Sequence, residues 1–493
     1  MARLQPFCLI CLPVLLVAAA CSAVSAQDTT PRQPNGSAET TLADCIRIAV
    51  RNNVTIRNAY LDRIVQKYAL RVAEDIFTPK MRLTSNITRT GPNTDLAGKT
   101  TSSGTTTTHI EAPITEGLPT GTTITLTPKH DFFTSNGTSR AYGWDATLTQ
   151  PLLKGGGWDV NTASVRTARI SEQVNILSLK ATIMDTLTSV ITDYRGYVQA
   201  IKALEISKQS LERGKELVAI NRELIAAGRM AAVDMVQTEA DVANREYNLL
   251  SSENSLDAAR LALVKVLNLD KNTRITPTQS FAIEPIPFSL EQAKKLALAN
   301  RPDYQSALLG LETAKINLML AKNSTLWDLG LSATYGQNFT RDGGPGTTGN
   351  SDHWNAGLTL SIPFWDLATQ QPYLINKIAL QQTEINLAKQ RDDLEIEVQD
   401  AFRTTEMNLR QVKLAQLSRE LSQKKYEIES EKLKAGRSTN FQLVSFQNDL
   451  VNAQNNELNS IISYLNALTT LERTVGTTLD KWGITLAERH GDL

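Results

Sequence analysis

The chain is written twice, and this duplication constrains its fold more than any other feature. Thr41–Asn53, "TLADCIRIAVRNN", aligns with Ser289–Arg301, "SLEQAKKLALANR", at an offset of 248. Gln150-Pro151-Leu152-Leu153 aligns with Ile362-Pro363-Phe364-Trp365 at an offset of 212. "AAGRMAAVDMVQTEADVAN" (Ala226–Asn244) aligns with "KAGRSTNFQLVSFQNDLVN" (Lys434–Asn452) at an offset of 208. The features keep their order, and most of the spacing change falls in one place. The first copy is about 36 residues longer between its opening helix and its proline, the difference between the first two offsets. Repeats that keep their order predict an architecture that repeats its parts.

Each half reads as helix, strands, long helix, long helix. The opening segments carry apolar residues at helical spacing: Leu42, Ile46 and Ala49 in the first, Leu290, Ala293, Leu296 and Ala297 in the second. The segments after each proline are far longer. From about Asn161 to Ala227 and from about Tyr373 to Ala435 there is no proline and almost no glycine. Leu394, Val398 and Ala401 are spaced four and three; Leu414, Leu417, Leu421 and Ile428 are spaced three, four and seven. That spacing predicts a coiled-coil-like seam. Some 65 residues rising 1.5 Å each give rods of about 100 Å.

Short alternating segments sit between the helices. Trp144, Ala146 and Leu148 alternate with Asp145, Thr147 and Thr149; Ala356, Leu358, Leu360 and Ile362 alternate with Gly357, Thr359 and Ser361. Leu331, Ala333, Tyr335 and Leu83, Ser85, Ile87 repeat the pattern. One apolar and one small polar face is what a barrel wall between lipid and water requires. The rival reading is a set of edge strands in a soluble sandwich, which the hundred-ångström helices disfavour. "EGLPTGTTITLTP" in the first half predicts an extra hairpin, which accounts for the 36 residues. Pro151 cannot donate to a ladder, so it is expected to end the wall and act, with Pro363, as a barrel-to-tunnel joint. The glycines of "KGGG" are expected to supply a swivel there.

The N-terminus is laid out as a secretory signal peptide over residues 1–26: Arg3, an apolar run from Leu4 to Ala20, then small residues. Two processing sites compete. Val24-Ser25-Ala26 before Gln27 fits ordinary cleavage and is the better match. "VAAAC" resembles a lipoprotein signal that would lipidate Cys21, but Ala18 stands where a larger aliphatic is usual. Cys8 and Cys11 go with the signal, and the remaining Cys45 reads as a small buried helix residue. Beyond residue 26 there is no run of eighteen apolar residues, so strands are the expected route into a membrane. Charges balance at 51 basic and 51 acidic residues, which gives no electrostatic case for nucleic acid. His109, His130, His353 and His490 are scattered over expected loops and the tail, and no zinc, phosphate-loop or nucleophile-elbow motif appears. No enzyme and no cofactor is expected.

In sum of motifs, the mature chain resembles the TolC family of bacterial outer-membrane efflux and secretion channels. The likeness rests on the duplicated openings, the "LTQPLL" and "LSIPFW" strand ends and the two "AGR" segments. The resemblance implies a mixed fold, a membrane β-barrel plus a long α-helical coiled-coil tunnel, in a homotrimer whose barrel three chains complete. Each chain would give four strands to a twelve-stranded barrel, while the extra hairpin of the first half leaves the count for that repeat open, since it either sits outside the membrane or enlarges the wall. The implied organisation is a first repeat over 27–268, with strands at about 81–150 and long helices at about 158–268. A linker or equatorial segment follows at 269–288. The second repeat covers 289–476, with strands at about 329–363 and long helices at about 370–476, and 477–493 forms a tail.

The resemblance also places the periplasmic tips at Gly228–Asp234 and Gly436–Gln442. Gly228, Arg229, Asp234, Gly436, Arg437, Gln442 and Ser445 are thereby implied in adaptor docking and gating. Family members often carry acidic residues at the second tip, where this chain has Gln442 and Ser445, so an anionic gate there is not expected. Asp234 is expected to pair with Arg437 or Arg229. The implied function is passive exit of small molecules from a tripartite efflux pump, with a periplasmic adaptor and an inner-membrane transporter as partners. The alternatives are the outer-membrane component of type I protein secretion and, less well matched, a structural coiled-coil surface protein.

Overall fold

The computed structural model describes residues 39–91, 104–134, 138–277, 281–341 and 348–485. The signal segment, Cys21, the extreme tail with His490 and four internal segments lie outside the described residues. In chain order the elements are β1 Glu39–Thr40, α1 Leu42–Asn52, α2 Val54–Glu74, β2 Lys80–Met81, β3 Thr84–Thr90, β4 Thr105–Glu111, β5 Ile114–Gly117, β6 Thr123–Thr134 and β7 Thr138–Pro151. Then come α3 Trp158–Asn161, α4 Ala163–Ala226, α5 Val233–Val266, β8 Thr276–Pro277, α6 Leu290–Asn300 and α7 Pro302–Ser324. The second sheet segment and its helices are β9 Asp328–Arg341, β10 Thr348–Ser361, α8 Gln371–Lys434, α9 Asn440–Val475 and α10 Thr478–Lys481.

The duplication survives at the level of single caps. Thr41 caps α1 in a capping box with Asp44, and Ser289 caps α6 in a capping box with Gln292, at equivalent positions. Each such cap contributes about 1 kcal/mol by satisfying amide groups the helix leaves unpaired. Both opening helices then break at matching residues, Asn53 and Arg301, each of which ends one helix and starts the next.

The rods are α4 and α8, each 64 residues, or about 96 Å at 1.5 Å per residue. α4 packs along α5, α8 along α9, and α4 touches α9. No thick core forms. Among the described residues burial is instead divided into four clusters strung along the rods, of which the largest gathers Cys45, Ile46, Ile183, Leu187, Ile191 and Leu263. One stretch of α4 is apolar enough to resemble a membrane span. Its residues Leu179, Ile183, Leu187, Val190 and Ile191 lie in that cluster, so they serve packing against α1 and α5. Leu394 and Val398 are buried in the seam, as their spacing predicts. Leu414, Leu417, Leu421 and Ile428 are not: each is more than half exposed, and the buried face of α8 runs through Thr405, Val412 and Leu433 instead.

The sheet is a meander in the order β10-β9-β7-β6-β4-β3, with β5 pairing both β2 and β6. β2 and β3 form one crossing and β4 and β5 another. The ladder carries over both interruptions, because Arg82 N–H donates to Pro113 O (3.1 Å) and Ala112 N–H to Pro128 O (3.0 Å). The chain therefore makes six crossings, where the resemblance implies four. The extra hairpin turns at Leu118–Thr122, between Gly117 and Thr123, which are paired. β1 and β8 form a separate two-stranded parallel pair; every pairing within the larger sheet is antiparallel, so directly opposed residues share a face. Register then puts Trp354, Tyr335 and Ala146 on one side with Leu126, Ile114 and Met81. The other side carries Thr359, Thr334, Thr147, Thr125 and Thr115.

His109, His130 and His353 lie in strands rather than loops. On the polar face His109 meets Asp131 (2.5 Å), while Lys129 (2.8 Å) and His353 (3.2 Å) both meet Asp145. His130 lies on the apolar face, its ring 4.2 Å from that of Phe132.

Candidate functional site

The two helical hairpins end in the same motif. Gly228 and Gly436 take positive φ (69° and 72°), a region open to glycine at little cost. At the first tip Gly228 N–H donates to Ile225 O and Arg229 N–H to Leu224 O; at the second Gly436 N–H donates to Leu433 O and Arg437 N–H to Lys432 O. These are paired Schellman motifs, which satisfy the last carbonyls of α4 and α8. α5 then restarts at Val233, and α9 restarts under the Thr439 cap, whose hydroxyl accepts from Gln442 N–H (3.3 Å).

The two tips touch. A side chain at 436 would come within 3.4 Å of Arg229 Nη2. The expected ion pairs of Asp234 are not formed: among the described residues none joins it to Arg229 or Arg437. Asp234 sits in the first turn of α5, where the helix dipole favours a carboxylate without a partner. Arg229, Arg437 and Gln442 are exposed, and Asp234 and Ser445 are half-buried.

What joins the hairpins lies one turn deeper. Asn221 of α4 donates to Thr238 Oγ1 (2.7 Å) and to Asn440 Oδ1 (2.9 Å), and Asn440 donates to Thr238 Oγ1 (2.9 Å). All three are buried. Further up, buried Arg245 of α5 binds Asp241 (2.6 Å), Ser210 of α4 and Gln447 (3.1 Å) and Asn448 (3.2 Å) of α9. Motif reasoning missed these residues because the duplication does not carry them: Phe446 and Ala453 stand where Thr238 and Arg245 are in the first copy. The available signal was a polar residue on an apolar seam.

At the opposite end of the rods, Pro151 does not end the ladder. Leu152 N–H donates to Leu329 O (2.7 Å) and Lys154 N–H to Trp327 O (3.2 Å), so pairing with the second repeat continues past the proline. Nor is the glycine run a free swivel. Gly155 N–H donates to Asn323 Oδ1 (2.8 Å), and Asn161 donates to the carbonyls of Gly155 (2.9 Å) and Gly157 (2.8 Å). After Pro363 the chain turns differently. Trp365 takes positive φ (56°) and is 99% exposed, and Asp366 caps the following turn through Ala368 N–H (2.9 Å). Midway along the rods, Tyr197 OH donates to Ile275 O (2.8 Å) and Tyr464 OH to Glu284 O, tying the inter-repeat segment to α4 and α9.

A duplicated chain with a two-faced antiparallel sheet at one end of paired helical rods is the plan of an outer-membrane channel subunit. The chain belongs to the outer membrane efflux protein family, whose match spans residues 45–269 and 294–477. The fold is shared with solved channels. The Campylobacter jejuni CmeC outer membrane channel superposes with a TM-score of 0.67 at 17% identity, over 89% of this chain and 86% of that one. The open state of the Neisseria gonorrhoeae MtrE outer membrane channel gives 0.66 at 16% identity, over 89% of each chain. The outer membrane protein VceC of Vibrio cholerae gives 0.65 at 14% identity, over 88% and 96%. A search of curated proteins finds no match. The protein is thus an outer-membrane efflux protein with the fold of the TolC-like channels.

Proposed function

We propose that three copies of this chain assemble into a passive conduit for small molecules, the outer-membrane part of a tripartite efflux pump. The observation that carries this reading is the row Leu414, Leu417, Leu421 and Ile428. It is an apolar stripe at coiled-coil spacing that no helix of the same chain covers. α2 shows a second such stripe in Leu61, Ile64, Val65, Tyr68 and Val72. Apolar rows of this length on paired rods are the form of a helix–helix interface, and a second copy of α8's surroundings supplies the matching one. Closing the sheet is the other need, because both outer strands leave backbone groups unpaired that lipid cannot satisfy.

The path through such an assembly would be lined by threonines and the His109, Asp131, Lys129 and Asp145 network, so solutes would pass in water. Energy would come from an inner-membrane transporter joined through a periplasmic adaptor. The adaptor's docking site would be the tips, where Arg229 and Arg437 are exposed and Arg437 lines a groove with Glu427, Glu431 and Lys432. The test is a photo-crosslinking residue at 229 or 437 in intact cells. Capture of a periplasmic adaptor, together with accumulation of toxic small molecules in a deletion strain, supports the reading. Capture of none at either position would remove tip docking.

A further inference from the structure

We infer that the barrel of this protein is closed by eighteen strands, six from each copy, with β10 of one copy paired to β3 of the next. The inference rests on the trimer proposed above and adds the wall's composition and its seam.

Six consecutive crossings share one ladder, and the apolar residues of the first two fall on the face that is apolar in the other four, with Ser85, Arg89, Thr106 and Thr108 standing among them. Lys80–Met81 with Thr84–Thr90, and Thr105–Glu111 with Ile114–Gly117, are the two crossings beyond four. On the outer side they present Met81, Leu83, Ile87, Ile110 and Ile114; on the inner side Thr84, Asn86, Thr107, His109 and Thr115. A hairpin lying outside a membrane wall has no need of a continuous apolar face. Each crossing also has the 9–11 residues that a tilted strand needs to span the bilayer.

The exposure of the outer face locates the seam. Large apolar residues on inner members of the sheet are two-fifths to one-half exposed there, from Leu148 at 38% to Tyr142 at 50%. On the two edge crossings the values rise to 70% for Met81 and Ile87, 77% for Trp354 and 66% for Leu358. These residues lack a neighbour on one side only. Direction agrees as well. The first crossing leaves the helices after α2 and β10 returns to them before α8, so the two edges meet antiparallel, like every other pair in the sheet.

Size follows from strand number. At about 4.8 Å between strands and about 40° of tilt, eighteen strands enclose a backbone cylinder about 36 Å across, against about 24 Å for twelve. The pore at the membrane would then be of the width class that leaves a water-filled channel.

The test places two cysteines in each chain: Ile87→Cys, with one further cysteine at a time at positions 350 to 360 of β10. Native mass spectrometry of the same detergent-extracted samples counts the copies. The expected result is a disulfide-linked trimer on a non-reducing gel at one or two adjacent scan positions, and none when Ile87→Cys is replaced by Leu126→Cys on β6. Linkage through position 126 but not 87, in a complex of three, would overturn the eighteen-strand wall and leave the trimer standing. A mass of two copies would overturn the trimer itself. Averaged end-on images of the unmodified protein give an independent reading, because a barrel about 24 Å across would defeat the inference whatever the cysteines do.

Discussion

Asn221 and Asn440 stand 219 residues apart in the chain and share a 2.9 Å hydrogen bond inside the tip. With Thr238 they form the only buried polar triangle among the described residues that joins α4, α5 and α9 at that level. A bond of this kind is worth more broken than made, because removing one partner strands the others away from water. Asn440→Ala should therefore cost about 1–3 kcal/mol locally and let the second hairpin part from the first. The readout is single-channel conductance in planar bilayers, where the variant should show a larger or more frequent open level than the parent. Unchanged conductance would remove the triangle from any gating role.

The two faces of β10 should respond oppositely to charge. Leu358→Arg places a guanidinium on the apolar face and should cost about 2–4 kcal/mol if that face meets lipid near the midplane. Thr359→Arg, one residue on, should assemble normally. The amount of heat-modifiable oligomer in outer-membrane fractions measures both.

Leu417 tests the interface. It is 52% exposed and contributes little to the fold of a single copy. Leu417→Arg should leave secondary structure intact by circular dichroism and reduce the proposed trimer to monomer by light scattering. A trimer that tolerates the charge would place the interface elsewhere.

Glu472 gives a pH dependence. Burial raises its carboxyl above the ordinary value of 4.5, with Lys481, 2.6 Å away, acting against the shift. An acid whose folded pKa is raised binds its proton more tightly when folded. Its favourable contribution is complete below the unfolded pKa and is lost as pH rises through the folded one. The parent should therefore gain thermal stability relative to Glu472→Gln as pH falls from 7 towards 4.5. Parallel melting curves across that range would contradict the burial effect.

Cys45 should be chemically silent. It is fully buried, and desolvation pushes its thiol up to about 12. Because the thiolate is the reacting form, maleimide at pH 8 should leave Cys45 unmodified in the folded protein and label it fully in denaturant, as peptide mass mapping would show.

Local rules made much of this protein legible. Thr41 with Asp44 and Ser289 with Gln292 announce helix starts by capping chemistry. The alternation from Trp144 to Thr149 announces a two-faced strand, and Gly228 and Gly436 announce breaks between rods. Each depends on neighbours within a few residues, so the sequence carries it unaided. The choice among equally patterned partners is not local. Leu394 and Leu414 carry the same spacing, yet one is buried against α9 and the other faces outward, because only the packing of whole rods decides which stripe meets which. Asn221, Thr238 and Asn440 are ordinary polar residues until three helices bring them together. The strand count belongs to the same class. The turn signal in "EGLPTGTTITLTP" announces an extra hairpin, but only the ladder from Lys80 to Ser361 shows that its strands pair with the rest of the sheet, since each strand's backbone groups require a neighbour that the chain as a whole must supply.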